Sequence, residues 1–224
     1  EEERLEVPDT AYAIDNEWSA DPDDAVNFDG KYLWVHIADP ASFVEPDSVV
    51  DKAARNRGTT LYLPDGAVRM LAETALEDYA LGLKEKSRAL SFRLLLNEDC
   101  SVQECTILKT IVNVKRLTYK AATEQKDSPE LKPLFDIAKR NVERRKKSGA
   151  TNIDMPEVHI NVDPETKKVS VSPLVRYEAD AMICEMMLLA GEGAAHFAYN
   201  NRIPFPFVSQ EAPEFPAKLE DGLA

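Results

Sequence analysis

The chain has 224 residues, with 27 Lys and Arg against 40 Asp and Glu, for a formal net charge of −13. That sign excludes binding to nucleic acid or an anionic membrane by bulk charge, because Lys and Arg that neutralise phosphate supply most such affinity. At 44% hydrophobic the chain has enough apolar residues for a real core, and its apolar runs, such as Met186–Ala190, fall far short of the roughly 20 residues that cross a bilayer.

Glu stands at position 1, and no basic segment followed by an apolar run comes early, which predicts no signal peptide and suggests a processed or excised fragment. Cys100, Cys105 and Cys184 lack C-x-x-C spacing, which argues against a disulfide framework and a thiolate zinc site. A reducing compartment fits. The cytoplasm is the expected location, with an organelle as the alternative if a transit peptide has been removed.

Residues 1–10 read as a leader or linker. Ala11–Ile14 reads as a short strand entering an acidic loop. Ala25–Phe28 and Lys31–Ala38 flank Asp29-Gly30, a pairing that predicts a hairpin on a type I′ turn. Pro46–Arg57 is an expected helix closed by Gly58, and Thr59–Leu63 is β-rich up to Pro64. Ala89–Leu96 and Val102–Val112 predict a second hairpin. Leu131, Leu134, Phe135, Ala138 and Val142 have helical spacing in a segment ending near Gly149. Val158–Val162 and Val169–Val175 predict a third hairpin. Tyr177–Tyr199 reads as a long helix weakened in its second half by Gly191 and Gly193. Strand pairs and helices interleave without a regular βαβ rhythm, so the expected fold class is α+β, a mixed, largely antiparallel sheet with packed helices. A Pro-rich extended tail follows over residues 203–224.

The informative segment is Asp15–Asp24, with aspartates at positions 15, 21, 23 and 24 immediately before a strand. Two carboxylates about 4 Å apart repel by about 4 kcal/mol at an effective dielectric of about 20, so convergence of several requires a cation or raised pKa values. A solvated acidic loop is the bland alternative. An EF-hand counted from Asp15 fails, because its glycine position is Ala20 and its bidentate glutamate position is Val26. A carboxylate-only metal site of the kind used in phosphoryl transfer remains, with hard oxygen ligands suited to Mg²⁺, Mn²⁺ or Ca²⁺.

Ile14-Asp15-x5-Asp21-x-Asp23-Asp24-Ala25, Val35–Pro40, Asp51–Ala54 with Arg57-Gly58, and Leu61–Pro64 occur in the order and spacing of a known domain. Met70-Leu71-x-Glu73, Leu117–Tyr119 and Asp154–Glu157 extend the match. From about Tyr12 to Glu192 the chain resembles the catalytic domain of ribonuclease II and ribonuclease R (the RNB family). The resemblance implies a partial RNB-like catalytic domain over residues 11–202. It implies a hydrolytic 3′→5′ exoribonuclease that degrades single-stranded RNA to nucleoside 5′-monophosphates with Mg²⁺, or alternatively Mn²⁺. It implies that Asp15, Asp21, Asp23 and Asp24 are catalytic and metal-holding, with Asp23 needed for chemistry more than for RNA binding. It also implies that Tyr62 and Tyr119 contact RNA. For each tyrosine the plain alternative is a half-buried strand residue.

Three departures from the resemblance stand out. Ile153 replaces an aromatic that closes the base stack, Cys184-Glu185 replaces a Glu-Glu pair tied to ribose recognition, and the chain stops before a Ser-Pro-Ile-Arg segment whose arginine stabilises the reacting phosphate. These leave a catalytically silent RNA-binding relative as the alternative function, and a fragment that is inactive alone. No membrane partner is expected, and single-stranded RNA and further RNA-binding domains of the same parent chain are the implied partners. The basic run Lys139–Lys147 reads first as a solvated helix end and second as a phosphate contact. His36, His159 and His196 show no ligand spacing, and Met182, Met186, Met187 and Leu189 read as helix core.

Overall fold

Successive strand residues point to opposite faces, so the neighbouring apolar pairs Ala13/Ile14, Ala25/Val26 and Trp34/Val35 require a sheet buried on both sides. A computed structural model describes residues 2–64, 66–151, 155–163 and 165–209, and it meets this requirement with a closed barrel. Strands β1 (Leu5–Asp15), β2 (Asp24–Phe28), β3 (Leu33–Ala38), β6 (Lys86–Leu96) and β7 (Val102–Thr118) form it in that order. All neighbours are antiparallel except β7 and β1, whose parallel pairing closes the barrel and removes its edges. One sheet face carries Ile14, Val26, Leu33, Val35 and Leu94 into a core shared with helices α3 (Tyr119–Glu124), α4 (Lys132–Lys147) and α5 (Glu178–Asn200). The other face turns Val7, Ala11, Ala13, Ala25, Trp34, Ala89 and Val112 inward, and the small alanines let so narrow a barrel close.

His36, Asn27, Ser91 and Thr110 are buried polar side chains linked by hydrogen bonds across four strands, although Asn27 Nδ2 has no partner. The ring nitrogens of His36 lie 2.6 Å from Ser91 Oγ and 2.8 Å from Asn27 Oδ1, and Ser91 Oγ lies 2.6 Å from Thr110 Oγ1. Outside the barrel, α1 (Val49–Arg57) and the small pair β4 (Leu61–Leu63) and β5 (Gly66–Val68) precede a single-turn helix, α2 (Leu76–Tyr79). A second small pair is formed by β8 (Val158–Val162) and β9 (Val169–Pro173).

Several boundaries differ from the sequence expectation, each for a physical reason. β1 starts at Leu5, inside the expected leader. Its register shifts between Val7 and Thr10, where Pro8 lacks the N–H for regular pairing, and that bulge disguises the strand. The β2–β3 turn is not type I′. Phe28 pairs with Leu33, and Asp29 Oδ1 accepts from the backbone N–H groups of Lys31 and Tyr32 at 2.9 and 2.7 Å, so the carboxylate itself organises a longer turn. Helix α1 begins after Ser48, whose side chain accepts from Asp51 N, and closes on Gly58 at φ +74°.

Helix α5 runs unbroken through both glycines. At Gly193 a Cβ would stand 2.5 Å from Leu94 Cδ2, so glycine is what lets the helix lie against the barrel, whereas Gly191 has nothing within 4 Å. Two residues of the basic run on α4, Arg144 and Arg145, hold α4 to α5. Arg144 pairs with Glu192 at 2.6 Å, and Arg145 pairs with the buried Glu185 at 2.5 Å, to which Asn141 also donates at 2.7 Å. All three cysteines are free. Ile153, Asp154 and residues 210–224 lie outside the described residues. Among the described residues no helix is long and apolar enough to cross a membrane.

Candidate active site

The barrel topology brings the acidic loop to one rim. Asp15 ends β1 and Asp24 begins the antiparallel β2, so the intervening loop joins neighbouring strands at a single end. The parallel register sets Asp15 opposite Thr118, which places Tyr119, the first residue of α3, at that same rim. Backbone bonds pin the loop. Ala38 N donates to the Asp23 carbonyl at 2.8 Å, Leu81 N to the Pro22 carbonyl at 2.8 Å, and Arg116 Nη2 to the Ser19 carbonyl at 2.6 Å.

Asp15, Asp21, Asp23 and Tyr62 border one groove of ≈790 Å³. Tyr62, 72% exposed, stands on the β4–β5 pair opposite Ala67. Asp24 does not border the groove but is held half-buried beside it, and Tyr119 borders two adjoining cavities instead. The structure therefore joins three of the four aspartates with one of the two tyrosines on a single surface. The remaining two residues are linked to that surface electrostatically. Burial, followed by the charges of Asp23 and Asp15, pushes the Asp24 carboxyl up to about 7. Asp23 is raised by desolvation and then by Asp15 and Asp21, even though it opens on to the groove. Burial also raises the Tyr119 hydroxyl, with the Asp15 charge adding to it, so that this phenol stays protonated.

Burial leads these shifts, and the neighbouring carboxylates add a negative field. Arg69 answers part of it by bonding to Asp21, both side chains being largely buried. Among the described residues no three His, Cys, Asp or Glu side chains gather at one point as a metal would require. In chemistry the donor set still fits a hard divalent cation. The aspartates offer carboxylate oxygen, in a setting that penalises unneutralised charge.

Sequence reasoning missed four residues at this rim. Arg69 carried no motif. Trp18 was legible only as part of the loop, and His159, which stacks on it at 4.4 Å between ring centroids, comes from the distant β8. Asp180 caps α5 by accepting from Tyr177 N at 2.8 Å and is raised by burial, with the Asp15 charge contributing. A Tyr-x-x-Asp spacing before an apolar helix was its one available signal.

The structure thus sets an acidic groove and an exposed tyrosine at one rim of a closed barrel. The RNB domain family matches residues 6–220, and the chain belongs to that family. It is 35% identical to an uncharacterized ribonuclease of Synechocystis sp. over 93% of this chain and 33% of that protein. It is 34% identical to the chloroplastic/mitochondrial ribonuclease II of Arabidopsis thaliana over 89% of this chain and 27% of that protein. Ribonuclease R of Mycoplasma genitalium in complex with ribose-methylated single-stranded RNA superposes with a TM-score of 0.81 at 23% identity, over 89% of this chain and 34% of that one. The chain thus spans about a third or less of the length of these relatives. The α+β expectation and the RNB resemblance both hold, and closure of the sheet into a barrel is added to them.

Proposed function

We propose that this chain is part of the catalytic domain of a hydrolytic 3′→5′ exoribonuclease that degrades single-stranded RNA to nucleoside 5′-monophosphates. The observation that carries this reading is the shared groove of Asp15, Asp21, Asp23 and Tyr62 in a chain of the RNB family. Asp15, Asp21, Asp23 and Asp24 would hold Mg²⁺, with Mn²⁺ as the alternative. When bound, such an ion activates water and offsets charge on the leaving oxygen.

The chain's own residues do the rest. Asp23 faces the groove beside Asp15 and Asp21, and is the aspartate we assign to the chemistry more than to RNA binding. Tyr62 offers an exposed ring to a terminal base, since stacking grips single strands without reading sequence. Tyr119, protonated at physiological pH, supplies a hydroxyl donor beside the rim. Cys184 is exposed on the cavity that Tyr119 also borders, where its thiol stands among the carboxylates of Glu157 and Asp180. Further RNA-binding domains of the parent chain would supply the positive charge that an acidic chain lacks. We infer a cytoplasmic location, and the name of the Arabidopsis relative supports an organelle as the alternative.

The test incubates the full-length protein with end-labelled single-stranded RNA and Mg²⁺ beside an Asp23→Asn variant. Mononucleotide release by the parent and its loss in the variant are expected. Binding without release by the parent would establish the silent relative instead.

A further inference from the structure

Trp18 is 58% exposed although it is the larger kind of aromatic, while the chain's other tryptophan, Trp34, is buried. An indole left in water costs apolar hydration unless something covers it in the working state. His159 covers part of it, stacked at 4.4 Å with 26° between the ring planes. The loop carrying Trp18 is fixed on both sides of the ring, by Ser19 N donating to the Asn16 carbonyl at 3.1 Å and by Arg116 on the Ser19 carbonyl. The backbone that carries the indole is therefore tied down, and the ring itself is engaged by His159.

The indole stands at a boundary. Trp18 and His159 both border the ≈790 Å³ groove of the aspartates and Tyr62, and both border the adjoining ≈450 Å³ cavity that includes Tyr119. Among the described residues Asn16 is the one other lining both, so a strand passing from one to the other runs beside the stacked pair. Aliphatic ligands would be served by any apolar surface. A rigid, laterally exposed indole backed by a second flat ring suits a flat π system, and each unpaired base presents one.

We propose that Trp18, backed by His159 as a positioning residue, is a stacking platform for one nucleobase of the RNA strand at the border between the aspartate groove and the Tyr119 cavity. The inference rests on the nuclease reading and adds to it a residue that touches substrate.

The test uses the full-length protein carrying Asp23→Asn, so that RNA is bound and not consumed. Short single-stranded oligoribonucleotides carry 2-aminopurine at one position at a time, since its emission is quenched by stacking. Quenching at a particular position is expected to disappear in Trp18→Ala while other positions keep theirs, with affinity weakened roughly 5- to 150-fold. Trp18→Phe, which keeps a ring, should retain most of both signals, and His159→Ala should lose part of the same quench. An unchanged quench pattern and affinity in Trp18→Ala would overturn the platform while leaving the nuclease reading standing. Uniform loss at every position would also overturn it, because a platform acts on one base. RNA that fails to bind the parent at all would overturn both.

Discussion

Gly193 of α5 lies so close to Leu94 of β6 that a Cβ on the glycine would meet Leu94 Cδ2 at 2.5 Å and Cys105 Sγ at 3.0 Å. The helix and the barrel wall touch there through the glycine hydrogen against a Leu94 methyl and the Cys105 side chain. Gly193→Ala should therefore lower stability by about 1–3 kcal/mol through overpacking. Gly191→Ala, on the same helix in open space, should raise it by about 0.5–1 kcal/mol through helix propensity. Urea denaturation of the two variants side by side would check the opposite signs.

The buried His36 makes stability depend on pH in a known direction. Burial lowers its pKa from 6.5 to about 4, so between those values the unfolded chain takes up a proton that the folded chain refuses. The stabilisation is complete above the unfolded value and is lost as pH falls through the folded one, for a total of about 3 kcal/mol. Denaturation midpoints measured from pH 7 to pH 4 should fall accordingly. His36→Gln should be less stable at pH 7 and should flatten that limb.

Glu185 is buried, and Arg145 and Asn141 are its partners. Removing the arginine leaves a buried carboxylate short of compensation. Arg145→Ala should cost about 1–3 kcal/mol, reduced from the fully buried case because the arginine is partly exposed. Arg140→Ala, which loses only long contacts to backbone carbonyls, should stay within about 0.5 kcal/mol. Thermal melts would separate a clamp between helices from a mere solvated basic run.

Removal of divalent ions should be legible without any substrate. An ion that binds the folded carboxylates alone stabilises by about 2.7 kcal/mol at a hundredfold excess over its dissociation constant. Mg²⁺ titration should raise the melting temperature of the parent protein, and chelation should reverse the rise. Asp24→Asn should blunt the response. Equal responses from parent and variant would remove Asp24 from the ligand set.

Local chemistry made much of the site readable from the residues, and long-range pairing hid the rest. Four aspartates in ten residues are a covalent fact, and their clash with one another points to a cation before any fold is known. The three hairpins and the long helices were likewise visible in alternation and helical spacing. Barrel closure was not, because Leu5–Asp15 pairs with residues near Thr110–Thr118 and Pro8 breaks the pattern that would have marked the strand. Helix α3 was concealed by its six residues. The partnership of Asp21 with Arg69 and that of Trp18 with His159 each join segments that nothing in the local sequence relates. The glycines misled in the other direction. Gly193 weakens the helical signal because it answers a neighbour, Leu94, from another part of the chain.

The parallel seam between β1 and β7 also imposes an order in time. On a ribosome, Asp15 emerges long before Thr118, its partner across the seam. At roughly 5–20 residues per second the interval is about 5–20 s. Through that interval the acidic loop has no barrel rim to be mounted on, so a growing chain beside the RNA of the machine that makes it carries the aspartates without the groove.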